Sequence, residues 1–155
     1  DNIAERKGDA NFSDVQWWAE WYADTGATAS NATVTVTYND GTTGNLTTFA
    51  AGGTVRAGRM IPLNQLIPAA ASGKYIRSID SVQLSASTAT AGNFGFTCTR
   101  PRLTMPLLLA NKMEIFDWAQ LGFPEIFNSS CLTIIEICST TSTGTVRGGG
   151  KIIHG

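Results

Sequence analysis

The strictest pattern in the chain is the alternation of apolar residues with threonine in the segment ATVTVTYNDG. Ala32, Val34, Val36 and Tyr38 fall on one parity, and Thr33, Thr35 and Thr37 fall on the other. Successive side chains of a strand point to opposite faces, so this pattern predicts a strand with one buried face and one hydroxyl-bearing face. Asp40-Gly41 follows, and this pair suits the positive φ angles of a hairpin turn.

Several other short segments have the composition of strands. VQWWAEWY is aromatic and places Trp17, Ala19 and Trp21 on one parity, opposite to Trp18, Glu20 and Tyr22. KYIRSIDSVQLSAS and NFGFTCTRP also alternate, and the TATAG between them predicts that the two strands form a hairpin. GRMIPLNQLIP predicts one or two short strands interrupted by proline, and CLTIIEICS, which is apolar on both parities, predicts a strand buried between layers.

One segment, from Ala110 to Gly122, predicts a helix that ends at the glycine. Its apolar side chains crowd onto one side: Met113, Phe116, Trp118 and Leu121. Short strands separated by turns, without regular helices between them, favour an antiparallel sandwich over βαβ units. We therefore expect an all-β fold, a single antiparallel β-sandwich of jelly-roll type with one short helix inserted before the last hairpin. Residues 1–13, which are polar and lack a consistent period, are expected to form an N-terminal arm, and residues 14–155 the sandwich domain.

Charge is scarce and unevenly distributed. Charged residues make up 15% of the 155, against a usual share of about 25%, while 43% are hydrophobic, which excludes disorder driven by charge. Residues 1–40 hold seven carboxylates and two basic residues, hence −5, whereas residues 41–155 hold nine basic residues and five carboxylates, hence +4. The basic residues are expected to form a solvated or subunit-facing surface, and segments of opposite sign can also pair head to tail between copies of the chain, which fits an oligomer. The candidate positive face consists of Arg56, Arg59, Arg77, Arg100 and Arg102, and a net charge of −1 argues against specific nucleic-acid binding.

The residue types that usually carry catalysis are also scarce. The one histidine is His154, next to the last residue, and the three cysteines, Cys98, Cys131 and Cys138, lack the spacing of a zinc site. No apolar run approaches the roughly 18 residues of a membrane span. We therefore expect no catalytic residue, metal, cofactor or membrane partner, and a protein that is not an enzyme.

The aromatic cluster of Trp17, Trp18, Trp21 and Tyr22 leaves two interpretations open. Buried rings would form the core or a subunit interface, and the mixture with alanine favours this interpretation. Exposed rings, with Trp118 as a further candidate, would form a sugar-stacking platform, which is the basis of an alternative function as a carbohydrate-binding module. We take these four residues, together with the five arginines, as candidate subunit or partner contacts.

Three stretches resemble structural proteins in the virions of tailed bacteriophages. They are WYADTGATASNATVTVTYNDGTTGNL, GRMIPLNQLIPAAASGKYIRSIDSVQLSASTATAGNFGFTCTRP and the ending STGTVRGGGKIIHG. The resemblance implies a non-enzymatic protein that assembles symmetrically on the particle as a head decoration or cement protein, with a neck or tail component as the alternative position. The expected partners are the major capsid protein or other virion proteins and further copies of the chain, with a trimer as the expected oligomer. The expected location is the virion, after assembly in the host cytoplasm.

Overall fold

The computed structural model describes residues 9–88, 91–106, 112–117, 119–122, 125–126, 130–137 and 146–149. Within these ranges seven strands follow one another: β1 (Gln16–Ala23), β2 (Asn31–Tyr38), β3 (Thr43–Asn45), β4 (Phe49–Ala50), β5 (Met60–Pro62), β6 (Ile76–Leu84) and β7 (Asn93–Thr99). Two short 3₁₀ helices, Leu63–Leu66 and Ala69–Ala71, each begin directly after a proline, whose fixed φ suits the start of a turn. Over the same ranges, no helix has the length and apolar character needed to cross a membrane. The chain divides into two compact units, Asp1–Glu125 and Ile126–Gly155, and all seven strands belong to the first.

The strands form two antiparallel sheets, which confirms the all-β class. The first, here called the aromatic sheet, has the order β5-β1-β7. In the second, the threonine sheet, β2 pairs with β6 along one edge and with β3 and β4 along the other. The predicted turn at Asp40-Gly41 closes the β2–β3 hairpin, and Gly41 has a φ of 82°, which a residue without Cβ adopts at no steric cost.

A single hydrophobic core joins the inner faces of the two sheets. The apolar parity of β2 is buried and its threonines are half-buried, as the alternation predicts. From β1, Ala19 and Trp21 belong to the same core, and Trp17 packs against it. The Trp21 ring stacks on Phe94 of β7 with a centroid distance of 5.6 Å. Full burial of side chains of this size contributes about 1.5–3 kcal/mol each, so this core accounts for the cohesion of the first unit.

Two β-bulges in β6 bring its apolar residues onto one face. Ile76, Ile79 and Val82 are spaced three apart, which a regular strand would split between its faces. The pairing with β2 shifts by one residue at Arg77 and again at Asp80, so each of these residues is the extra member of a bulge. All three apolar residues therefore lie opposite the inner-face residues of β2.

The predicted hairpin between β6 and β7 is wrong. β6 pairs with β2 in the threonine sheet, whereas β7 pairs with β1 in the aromatic sheet. The connection after Leu84 is held to the threonine sheet, where Ser85 donates its backbone N–H to the Asn31 carbonyl at 2.8 Å. Placing the strands in different sheets lets their apolar faces meet across the core instead of lying side by side, a choice that the alternation alone does not specify.

The predicted helix over Ala110–Gly122 is wrong for the residues that the structure describes there. Residues 112–117 and 119–122 form no helix, and Trp118 lies outside the described residues. A single turn is present, in which the Gln120 backbone N–H donates to the Asp117 carboxylate at 2.7 Å and the Asp117 N–H to the Gln120 side-chain oxygen at 2.9 Å. Met113 is 81% exposed, whereas Phe116 and Leu121 are half-buried, so the apolar side that would have stabilised a helix is packed only in part.

The strand predicted within CLTIIEICS is also wrong for its described part. Residues 131–137 belong to no strand, and Ile134 and Ile137 are 87% and 79% exposed. A strand needs a neighbour to take up its backbone hydrogen bonds, and a single copy does not give this segment such a neighbour among the described residues. Cys138 and most of the last hairpin beyond it lie outside the described residues, as do residues 1–8 of the predicted arm. Residues 146–149 of that hairpin are described and belong to no strand.

Candidate contact surface

The four aromatic candidates in β1 divide between core and surface. Trp21 is 1% exposed, and its indole N–H donates to the Ala51 carbonyl at 3.2 Å. Trp18 is buried and Trp17 half-buried, and each also donates an indole hydrogen bond to another strand. Tyr22 is 54% exposed. The buried rings of Trp18 and Trp21 are unable to stack on a sugar or a docked partner, so a contact role remains a prediction mainly for Tyr22.

The Tyr22 side chain packs against the outer surface of the aromatic sheet. It is the extra residue of a bulge where β1 pairs with β7. Its ring lies across Gly95, where an added Cβ would come within 3.0 Å of the ring and of the hydroxyl. Beside it, the Thr97 hydroxyl donates to the Glu20 carboxylate at 2.7 Å. This outer patch is therefore a mixed aromatic and polar surface of the kind found at the rim of interfaces.

The five candidate arginines do not form one uniform positive face. Arg56, Arg59 and Arg77 are exposed, whereas Arg100 and Arg102 are half-buried. Two of the exposed guanidinium groups lie over aromatic rings: Arg59 is 5.9 Å from the centroid of Trp21, and Arg77 is 6.0 Å from that of Phe12. Both positions cover intramolecular rings, where a cation contributes about 0.5–1 kcal/mol.

Ion pairs within the chain account for part of the charge asymmetry. Among the described residues, three carboxylates of residues 1–40 pair with basic residues from the rest of the chain: Asp14 with Arg100, Asp24 with Arg56 and Asp40 with Lys74. The opposite signs of the two segments are thus partly neutralised in a single copy. The asymmetry by itself therefore does not indicate head-to-tail pairing.

The carboxylates of these pairs are held in their charged form. The hydrogen bond from Lys74, followed by those from Thr42, holds the pKa of Asp40 well below its usual 3.8. The backbone N–H of Ala57, donating at 2.7 Å, and then the Arg56 guanidinium lower the pKa of Asp24. A depressed carboxylate pKa suits an anchor for a loop and does not suit a general base near neutral pH.

A shallow depression of about 320 Å³ lies beside the start of β1. Its polar groups are already engaged. Asn64 accepts the Trp17 backbone N–H and donates to the Val15 carbonyl, both at 2.9 Å, while Asp14 and Lys74 belong to ion pairs. These contacts hold β1 in place and leave no convergent reactive pair in the depression.

The described ranges contain no group of three His, Cys, Asp or Glu side chains placed to hold a metal ion. His154, the usual type of general base, lies outside the described residues, so its predicted lack of a role stays a prediction.

A set of exposed apolar side chains follows residue 110, and the sequence interpretation missed it. Its five members, here called the C-terminal apolar set, are Met113, Ile115, Leu132, Ile134 and Ile137, each more than half exposed. Isolated exposed apolar residues are ordinary on a protein surface. Here the first unit leaves Met113 and Ile115 exposed and the second leaves Leu132, Ile134 and Ile137 exposed, so each group is a candidate contact. The signal was present in CLTIIEICS, whose apolar residues on both parities were assigned to the core of the same chain.

Comparison with protein-family models, curated proteins and solved structures finds no match to this chain.

Proposed function

We propose that this protein is a non-enzymatic assembly protein of a tailed-phage particle, which decorates or cements the head as a symmetric homo-oligomer. The observation that carries the proposal is the exposure of the C-terminal apolar set, with Ile134 87% and Met113 81% exposed. Burying five such side chains would contribute on the order of 10 kcal/mol per copy. That gain is comparable to the roughly 4–15 kcal/mol that association costs, so single contacts would be modest and repetition on a shell would strengthen them through avidity.

The outer face of the threonine sheet supports the same function. Thr35 donates its hydroxyl to the Asn45 side chain at 2.9 Å, and Thr37 donates to Asp80 at 2.7 Å. These side chains order one another and leave an extended hydroxyl-bearing face. Such a face suits the wet, hydrogen-bonded contacts of a protein lattice.

The fold proposed for this role is a sandwich of jelly-roll type. A jelly roll has eight strands in two sheets, and the described residues of the first unit contribute seven. Among the described residues, three of these strands form the aromatic sheet. The carbohydrate-binding alternative loses Trp18 and Trp21 as stacking rings, because both are buried. Trp17 is half-buried, and Trp118 lies outside the described residues.

The test combines oligomeric state with particle binding. Size-exclusion chromatography with light scattering should give a multiple of the 16.5 kDa chain, with a trimer of about 50 kDa expected. Antibody raised against the recombinant chain should label the heads of purified particles of the phage that encodes it. A strictly monomeric protein that also fails to bind such particles would contradict the proposal.

A further inference from the structure

The only Asp-Gly pair of the sequence occupies the turn between β2 and β3, and the sequence contains no Asn-Gly pair. Glycine has no Cβ to obstruct the approach of its nitrogen to the preceding side chain. In an open chain this nitrogen attacks the carbon of the protonated aspartate carboxyl group. The new N–C bond closes a five-membered imide, and the amide proton leaves with the carboxyl hydroxyl as water. Water then opens the imide at its other carbonyl, so that the main chain passes through the aspartate Cβ as isoaspartate.

The folded turn engages both of the groups that would react. The Gly41 backbone N–H donates to the Tyr38 carbonyl at 3.0 Å. The Asp40 Oδ1 atom accepts the Thr42 backbone N–H at 3.0 Å and the Thr42 hydroxyl at 2.6 Å, while Oδ2 pairs with the Lys74 ammonium at 2.8 Å. The hydrogen bond from Lys74, followed by those from Thr42, lowers the pKa of Asp40. The side chain is therefore held as a carboxylate, which lacks the hydroxyl that leaves as water.

Lys74 reaches the turn from a distant part of the chain and is itself held in place. Its ammonium donates to the Thr42 hydroxyl at 2.8 Å and lies 5.4 Å from the ring centroid of the buried Tyr38. The next residue, Tyr75, accepts the Asn39 backbone N–H at 2.9 Å and donates its own N–H to the Asn39 side-chain oxygen at 3.1 Å. A tertiary contact therefore fixes the turn in addition to its local hydrogen bonds.

We propose that Asp40-Gly41 is an isoaspartate-forming site that the folded chain holds inactive through Lys74. This inference is independent of the proposed assembly function. Conversion would add one carbon to the main chain of the turn and displace the hydrogen bond from the Tyr38 N–H to the Thr42 carbonyl at 2.8 Å. That bond closes the hairpin, so Lys74 protects the pairing of β2 with β3 at this end of the threonine sheet.

The test uses the full chain and two substitutions of Lys74. Lys74→Met keeps an unbranched side chain and removes its charge, whereas Lys74→Arg keeps a cation and serves as the matched control. Each folded protein, and the wild type unfolded in guanidinium chloride, is incubated for weeks near neutral pH. Enzymatic methylation counts the isoaspartate that forms, and tandem mass spectrometry locates it in the sequence.

We expect residue 40 to convert at least about tenfold more slowly in the folded wild type than in the unfolded chain, because conversion requires the turn to open. Lys74→Met should convert about two- to fivefold faster than the folded wild type, since the loss of a partly exposed ion pair raises the open fraction of the turn by that factor. Lys74→Arg should convert at the wild-type rate.

Three results would overturn the proposal. They are a folded wild type that converts as fast as the unfolded chain, Lys74→Met at the wild-type rate, and Lys74→Arg as fast as Lys74→Met. Hydrogen exchange separates local from global opening: in Lys74→Met the amides of residues 41–43 should exchange faster while those of residues 34–36 stay protected. Faster exchange of both segments would attribute conversion to global unfolding and also overturn the role of Lys74. If far-UV circular dichroism shows that Lys74→Met does not fold, Thr42→Val removes the hydroxyl donor instead, and an unchanged conversion rate in that variant contradicts the proposal.

Discussion

Alanine substitution at two neighbouring positions of β1 separates the buried aromatic residues from the exposed one. Trp21 and Tyr22 are adjacent in the chain, but they are 1% and 54% exposed. Trp21→Ala removes a ring that stacks on Phe94 at 5.6 Å and meets Phe49 edge to face at 6.1 Å. Tyr22→Ala removes a ring that lies on the outer surface of the same sheet.

The expected magnitudes follow from this packing. Truncating a buried Trp to Ala lowers the free energy of unfolding by about 3–5 kcal/mol, and the Ala51 carbonyl, which loses its indole donor, adds about 1 kcal/mol. A shift of roughly 2–4 °C per kcal/mol then predicts a Tm lower by about 8–24 °C. Tyr22→Ala should change the free energy of unfolding by less than about 1 kcal/mol, because its ring is half in solvent.

Urea unfolding followed by far-UV circular dichroism measures both values at 25 °C. If Trp21→Ala does not fold, Trp21→Phe keeps the stacked ring and loses the indole N–H, and it should be destabilised by about 1–2 kcal/mol. Equal losses at the two positions, or a loss below about 1 kcal/mol for Trp21→Ala, would refute the assignment of Trp21 to the core.

Three further predictions concern other parts of the first unit. Gly52→Ala should lower the free energy of unfolding by about 3 kcal/mol, because its Cβ would lie 2.6 Å from a backbone carbonyl oxygen. Gly58→Ala has open space around the new Cβ and a φ of +82°, so it should lower the free energy of unfolding by only about 1 kcal/mol. Chemical denaturation measures both losses, and equal values would contradict this prediction. The pKa of Asp40 is lowered in the folded chain, so its pairing with Lys74 stabilises the fold at pH values above the ordinary pKa of 3.8, and this stabilisation is lost as the pH falls below it. Between about pH 5 and pH 2 the Tm should therefore fall more steeply in the wild type than in Asp40→Asn. Parallel curves of Tm against pH would show that this ion pair is not responsible. The Tyr38 hydroxyl is buried and has no hydrogen-bond partner in the described part of the chain. Tyr38→Phe should therefore leave the free energy of unfolding unchanged or raise it by up to about 1 kcal/mol. A clearly lower Tm in a thermal melt would count against this interpretation.

The sequence by itself determined the features that depend on neighbouring residues. The parity of β2, the shared face of Ala19 and Trp21 and the turn at Asp40-Gly41 all follow from the two-residue period of a strand and from local φ preferences. Each is set within a few residues of the chain, so the pattern is sufficient. The all-β class follows for the same reason.

Only the tertiary structure decided which strands pair and which side chains are buried. Alternation in β6 and β7 gave each strand an apolar face but did not choose between a hairpin and pairing in two different sheets. The three-residue spacing of Ile76 and Ile79 does not fit a regular strand, and only the pairing with β2 revealed the bulges at Arg77 and Asp80 that place both isoleucines on one face. The same limit applies to the candidate site. Parity grouped Trp18 with Tyr22, yet one is buried and the other exposed, because burial depends on residues distant in the chain that pack above each ring. The apolar residues of 131–137 satisfied every local condition for a core strand, but a strand forms only where another backbone accepts its hydrogen bonds.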